Sequence, residues 1–189
     1  MIEPAPSRVL IGGIGYPDLC DYSAGVLAVE ALAREAWPTH VVIEDISYNP
    51  VAVAQWLQAE PAGRVFTRAI IIAAAARGRP GGTLSVYRWD HVLPDDVEIH
   101  RSVCDAVTGV IHLDNTLVVV AHLRALPAEV VVMEIEPVVH EFGQSTTPVV
   151  AAAVRTAGVR ARQLACEHDA ALALPQLPLG GDRPFQVVR

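Results

Sequence analysis

RVLIGGIGYPDLCDYSAG, residues Arg8–Gly25, decides how this chain is read. The apolar run Val9–Ile14 enters the turn Gly13-Ile14-Gly15, a polar loop follows, and Ser23-Ala24-Gly25 stands at the head of an amphipathic segment. A near-continuous apolar run of this length is expected of a strand buried on both faces. From about Tyr22 to Ala36 the spacing predicts a helix. Val26, Val29, Leu32 and Ala33 share one face, Glu30, Arg34 and Glu35 lie away from its centre, and Pro38 ends it. Strand, glycine turn, loop and helix in this order open many α/β folds.

The same alternation continues outward from that stretch. Val41–Ile46 is β-branched and reads as a second strand, and Pro50 opens a helix to about Gln58. Ala69–Ala74 reads as a third strand, Arg77–Gly82 (RGRPGG) as turn material, and Thr83–Trp89 as a fourth strand at an edge. Asp90–Asp105 is polar and carries no assigned element. Leu113–Leu126 reads as a helix, Val130–Ile135 as the fifth strand, and Thr147-Pro148 as the cap and first turn of a helix to about Cys166. The expected fold is a single three-layer α/β domain over residues 1–170, with a mostly parallel five-stranded sheet and helices on both faces. Residues 171–189, with Pro175, Pro178, Pro184 and Gly180-Gly181, read as a loose tail.

Bulk composition narrows the function classes. The 189 residues are 52% hydrophobic and 19% charged, enough for one sizeable core and unlike a disordered chain. A formal charge of −7 argues against a broad nucleic-acid surface. No apolar run reaches the ~20 residues that span a bilayer. MIEPAPSR lacks the basic-then-apolar pattern of a secretory signal. Cys20, Cys104 and Cys166 form no close pair and read as reduced thiols of a cytoplasmic protein.

The glycine turn invites a dinucleotide reading, but that motif needs a third glycine three residues on, so that a helix N-terminus meets the pyrophosphate at once. Here Asp18 stands in that place after Pro17, and an acidic loop repels phosphate. Asp45 lies further along than the usual ~20 residues for a ribose-binding carboxylate. Other site classes are weaker still. Ser145 with His140 has no G-x-S-x-G, and His140-Glu141 lacks the second histidine of H-E-x-x-H. Cys20 has acidic neighbours and not the cationic ones that activate a thiol, and Cys104-Asp105 with His100 and His112 is a lesser Cys/His candidate.

The ordered set of motifs over residues 8–166 resembles the hydrogenase maturation proteases. These are endopeptidases that remove a C-terminal extension from the large subunit of nickel–iron hydrogenases. That family opens with a strand and G-x-G-N, then a loop ending in an acidic pair, with a glycine at the head of a helix. Gly13-Ile14-Gly15 and Asp21-Tyr22-Ser23-Ala24-Gly25 follow that spacing. Asp45 matches its Asp at the end of strand two, and His112 its His shortly before a helix. Glu136-Pro137 with Gly143–Pro148 matches its closing strand and G-x-x-x-[ST]-P.

The resemblance implies three metal ligands: a carboxylate after the first loop Asp, an Asp closing strand three, and the His. Those positions here are Tyr22, Ala74 and His112, and the asparagine after the glycines is Tyr16. A phenol with its pKa near 10 is a poor ligand, alanine is none, and one imidazole is too little to hold an ion tightly. A tight intrinsic metal site is therefore not expected, and any nickel would be that of the substrate protein.

The surviving residues each carry two readings. Asp21 is a helix N-cap or a catalytic carboxylate, and Asp45 a turn cap or a catalytic carboxylate. His112 is a hydrogen-bonded, half-buried histidine or a metal ligand. Gly13 and Gly15 are accounted for by backbone torsion, and Glu134 and Glu136 by a polar strand face. Asp21, Asp45 and His112 are expected to converge at the carboxyl edge of the sheet. The leading function is C-terminal processing of a nickel–iron hydrogenase large-subunit precursor. The alternatives are an inactive relative that binds that precursor and a nucleotide-binding module.

Overall fold

Strand β1 (Arg8–Ile14) is apolar from Val9 onward because it faces two cores. Val9 and Ile11 point into one, Leu10 and Ile14 into the other. The computed structural model describes residues 8–181. After β1 come a 3₁₀ turn (Cys20–Ser23), helix α1 (Ala24–Leu32), β2 (Val41–Asp45) and α2 (Pro50–Gln58). Next are β3 (Phe66–Ala74), β4 (Leu84–Trp89), α3 (Asp96–Val107) and α4 (Leu113–His122). The chain closes with β5 (Glu129–Ile135), α5 (Pro148–Cys166), α6 (His168–Leu172) and β6 (Gln176–Leu177). The six strands lie in the order β2-β1-β3-β5-β4-β6, with β4 antiparallel to β5 and every other pairing parallel.

Alternation along each central strand builds the two cores. On one face Ile70, Ile72, Val131 and Met133 meet α1 and α5, and on the other Ile71, Ala73, Val130 and Val132 meet α2 and α4. Ala153, Ala157 and Ala161 recur at helical spacing on the buried side of α5, and small side chains there let the helix lie close to the sheet.

The glycines of the opening stretch are explained by close approach, not by torsion as the sequence suggested. Neither Gly13 nor Gly15 has a positive φ. A Cβ on Gly13 would stand 2.4 Å from the Gly25 carbonyl oxygen, and a Cβ on Gly25 would stand 2.2 Å from that of Ile14. The first turn of α1 rests directly on backbone.

Four further expectations are corrected. The sheet has a sixth strand, the two residues of β6. Helix α1 stops at Leu32, where the Trp37 indole N–H donates to the Leu32 carbonyl at 2.8 Å and satisfies a terminal acceptor. The polar stretch after Asp90 contains α3, a helix that buries only Ile99, Ser102 and Ala106 and begins at an Asp95 cap accepting from the Glu98 N–H. Residues 171–181 are not loose: Ala171 is buried and the Gly180 N–H donates to the Tyr87 hydroxyl at 3.0 Å. The rest of the expected tail, 182–189, lies outside the described residues. No helix among the described residues is long and apolar enough to cross a membrane.

Candidate functional site

Strand β1 lies between β2 and β3, and the helices that follow β1 and β2 cover opposite faces of the sheet. Such a reversal opens a crevice beyond the carboxyl ends of the two diverging strands. A cavity of about 610 Å³ lies there. Ile14 and Gly15 at the end of β1 and Ala74 to Arg77 at the end of β3 line it. Tyr16 and Tyr22 come from the opening loop, and His112 and Asp114 from the start of α4. Leu93, Pro94 and α3 close one side, and Pro178 and Leu179 another.

Of the three singled-out residues, only His112 lines this cavity. It is the N-cap of α4: its Nδ1 accepts from the Asn115 N–H at 3.3 Å, and the Asn115 side chain accepts from the His112 N–H at 2.9 Å. With Nδ1 used as an acceptor, the neutral ring carries its proton on Nε2. Burial pushes the pKa of His112 down, and the nearby Asp114 only partly offsets it.

Asp21 does not reach the cavity and does not cap α1. Its side chain is fully buried and holds the segment between β5 and α5. Oδ2 accepts from the N–H groups of Val138 and Val139 at 2.9 and 3.0 Å, and Thr147 donates through both its N–H and its hydroxyl. Burial alone would raise its pKa, but the backbone donors outweigh burial and hold it below the ordinary carboxylate value. Thr147 therefore spends its hydroxyl on Asp21 and makes no side-chain cap on α5. Asp45 is exposed at the end of β2, where its Oδ1 accepts from the Ser47 N–H at 2.9 Å. Cys104 is exposed and does not line the cavity, so the Cys104–His112 pairing is not built there.

The densest chemistry at this edge comes from residues to which the sequence analysis gives no site role. Arg77 forks onto Asp114 at 2.8 and 2.6 Å and also reaches Glu134 Oε1 at 2.8 Å. Arg79 takes the other Glu134 oxygen at 2.7 Å, and the Tyr87 hydroxyl donates to Oε1 at 2.9 Å. The N–H groups of Arg77 and Gly78 both donate to Glu136. Glu134 is completely buried, so this is a structural ion network and not the polar strand face that alternation suggested. Burial opposes both charges, but each partner outweighs it: the Arg77 guanidinium is held charged and Glu134 is held below the ordinary carboxylate value. Two signals were available: a Glu-x-Glu pair at the end of a largely apolar central strand, and arginines in the turn after the neighbouring strand.

The positions that the family resemblance assigns to metal do come together. Tyr22, Ala74 and His112 all line the cavity. Their chemistry does not suit an ion. Ala74 offers no donor, and burial together with Glu136 raises the Tyr22 phenol above its ordinary value. Nδ1 of His112 is already engaged, which leaves the proton on Nε2. Among the described residues no group of three or more His, Cys, Asp and Glu is placed to hold a metal ion.

No family model matches the sequence, and no curated protein matches it. Solved structures do. The hydrogenase 2 maturation peptidase from a Thaumarchaeota archaeon superposes with a TM-score of 0.60 at 20% identity, over 85% of this chain and 99% of that one. The hydrogenase maturating endopeptidase HybD from E. coli gives 0.60 at 20%, over 85% and 93%. An endopeptidase from Escherichia coli gives 0.64 at 23%, over 89% and 97%. At these identities the likeness is one of fold, and the fold of this chain is that of the hydrogenase maturation peptidases.

Proposed function

We propose that this chain is a peptidase-like maturation factor that binds a nickel–iron hydrogenase large-subunit precursor in the cytoplasm without cutting it. The observation that carries this reading is the cavity itself. It lies at the switch point of a maturation-peptidase fold, yet Tyr22, Ala74 and a capped His112 stand where the resemblance places metal ligands. Recognition surface supports the reading further. Asp21 fixes the segment between β5 and α5, which carries the exposed side chains Val138 and Phe142 beside the opening loop. Exposed apolar side chains on an anchored loop suit contact with a protein partner.

Processing of the precursor by an altered site, with Asp21 and Asp45 as catalytic carboxylates, is the weaker reading. Both Asp21 oxygens are occupied by the anchored segment, and Asp45 stands outside the cavity. A nucleotide reading has less support, since the turn after β1 packs against α1 instead of presenting a helix N-terminus.

The test is co-purification with a large-subunit precursor that retains its C-terminal extension, followed by intact mass of the precursor. Retention with the extension uncut, weakened by Leu93→Arg in the apolar wall, is the expected result. Cleavage by the unaltered chain, lost on Asp45→Ala, would overturn the non-catalytic reading. Absence of retention would overturn the partner.

A further inference from the structure

Arg77 lines the cavity beside Ala74, Tyr22 and His112. Its guanidinium joins two elements, Asp114 on α4 and Glu134 on β5. The Asp114 contact is a two-bond fork at 2.8 and 2.6 Å, and Nε and Nη2 meet Glu134 Oε1 at 3.2 and 2.8 Å. All three side chains are largely withdrawn from water, at 7%, 14% and 0% exposure for Arg77, Asp114 and Glu134. A positive group that joins carboxylates from separate elements cancels their repulsion and fixes their spacing. A divalent ion held by carboxylates does the same work.

We infer that Arg77 is a built-in substitute for a divalent cation at this edge of the sheet, so that the cavity is assembled without a metal ion. Arginine suits the role because its planar fork matches a carboxylate and its charge is permanent. The group is also locked in place. The N–H groups of Arg77 and Gly78 are held by Glu136, and Arg79 and Tyr87 fix Glu134 from its other sides. Both oxygens of Asp114 face the guanidinium, so this carboxylate is already engaged and offers an ion no free oxygen.

The inference rests on the proposed recognition role only for its consequence, partner binding that needs no metal. The ion measurement uses no partner, so each reading can fail alone. Purified full-length chain is titrated with manganese chloride by calorimetry and by thermal unfolding, manganese being suited to carboxylate-rich sites. The unaltered chain should respond no more than it does to magnesium chloride. Arg77→Ala should bind manganese at least tenfold more tightly than the unaltered chain, with an unfolding midpoint that rises with the ion. Arg77→Ala combined with Asp114→Asn should lose that gain, and Arg77→Lys should not acquire it. Should the alanine variant not fold, Arg77→Gln keeps most of the side-chain volume and carries the same expectation. A folded Arg77→Ala or Arg77→Gln variant that is indifferent to manganese, or tight manganese binding by the unaltered chain that is lost on His112→Ala, would overturn the inference.

Discussion

Asp21 and Thr147, 126 positions apart in the chain, are joined twice: the Thr147 N–H donates to Oδ1 at 2.7 Å and its hydroxyl to Oδ2 at 3.0 Å. With the Val138 and Val139 N–H groups on the same carboxylate, one buried side chain satisfies the start of α5 and the segment that leads to it. The loop after β1 is paired there as well, through Leu19 and Gly143. Asp21 is thus the tie between the opening motif and the closing G-x-x-x-[ST]-P motif.

Asp21→Asn should destabilise the protein by about 3 kcal/mol, since charge-assisted bonds are lost and an amide N–H₂ is turned toward backbone donors. At roughly 2–4 °C per kcal/mol for a chain of this size, the unfolding midpoint should fall by about 10 °C. Because the folded-state pKa of Asp21 is lowered, its contribution is present above the unfolded value near 4 and is lost as pH falls through the folded one. The gap between the two proteins should therefore close in acid. A gap of constant size down to the acid transition would contradict the charge-based account.

Glu134→Gln should cost about 3–5 kcal/mol, because it neutralises the buried carboxylate that Arg77 and Arg79 share. Asp45→Ala should cost less than about 1 kcal/mol, as it removes one exposed hydrogen bond to the Ser47 N–H. Urea unfolding of the two variants side by side measures the contrast. Equal costs would mean that the ion network contributes nothing beyond an exposed turn.

The parts of the fold visible in the sequence were those written by hydrophobic period. Strand β1 and helix α2, with its Pro50 start, were read nearly to the residue, because continuous apolar runs and a proline in the first helical turn have few alternative meanings. Helix α3 was invisible because only one narrow face of it is buried. Residues 171–181 were misread because prolines and glycines signal turns but say nothing of what the turns pack against, here Tyr87 and Arg79. The family resemblance matches Tyr22, Ala74 and His112 to one ligand set, and all three line one cavity, whereas Asp21 and Asp45 do not join His112 there. The Arg77 network stays hidden because its members come from the turn after β3, from α4 and from β5, and tertiary charge pairing leaves no local period.

Gly25→Ala tests the direct contact of α1 with the sheet. The added Cβ would stand 2.2 Å from the Ile14 oxygen and 2.5 Å from that of Ile72, both backbone atoms that cannot turn aside. The expected loss is about 3 kcal/mol, the upper part of the overpacking range. Gly63→Ala is the control: nothing lies within 4 Å of its added Cβ, so a change within about 0.5 kcal/mol is expected. A tolerant Gly25 would mean that α1 sits further from β1 than described.

His112→Asn separates the cap from the titration. Asparagine is a good N-cap, so the Asn115 N–H keeps an acceptor, while the ionisable ring is gone. Burial lowers the folded-state pKa of His112 below its ordinary value of 6.5. As pH falls below that value the unfolded chain takes up the proton first, and stability is lost down to the folded-state pKa. The unaltered protein should therefore lose unfolding free energy relative to His112→Asn between about pH 8 and about pH 5.5, the span around the unperturbed value. His91, also lowered by burial, is common to both proteins and cancels in the difference. Urea unfolding at the two pH values gives the comparison. A difference that stays constant, or that favours the unaltered protein at the lower pH, would show that the ring at the cavity wall is not held neutral.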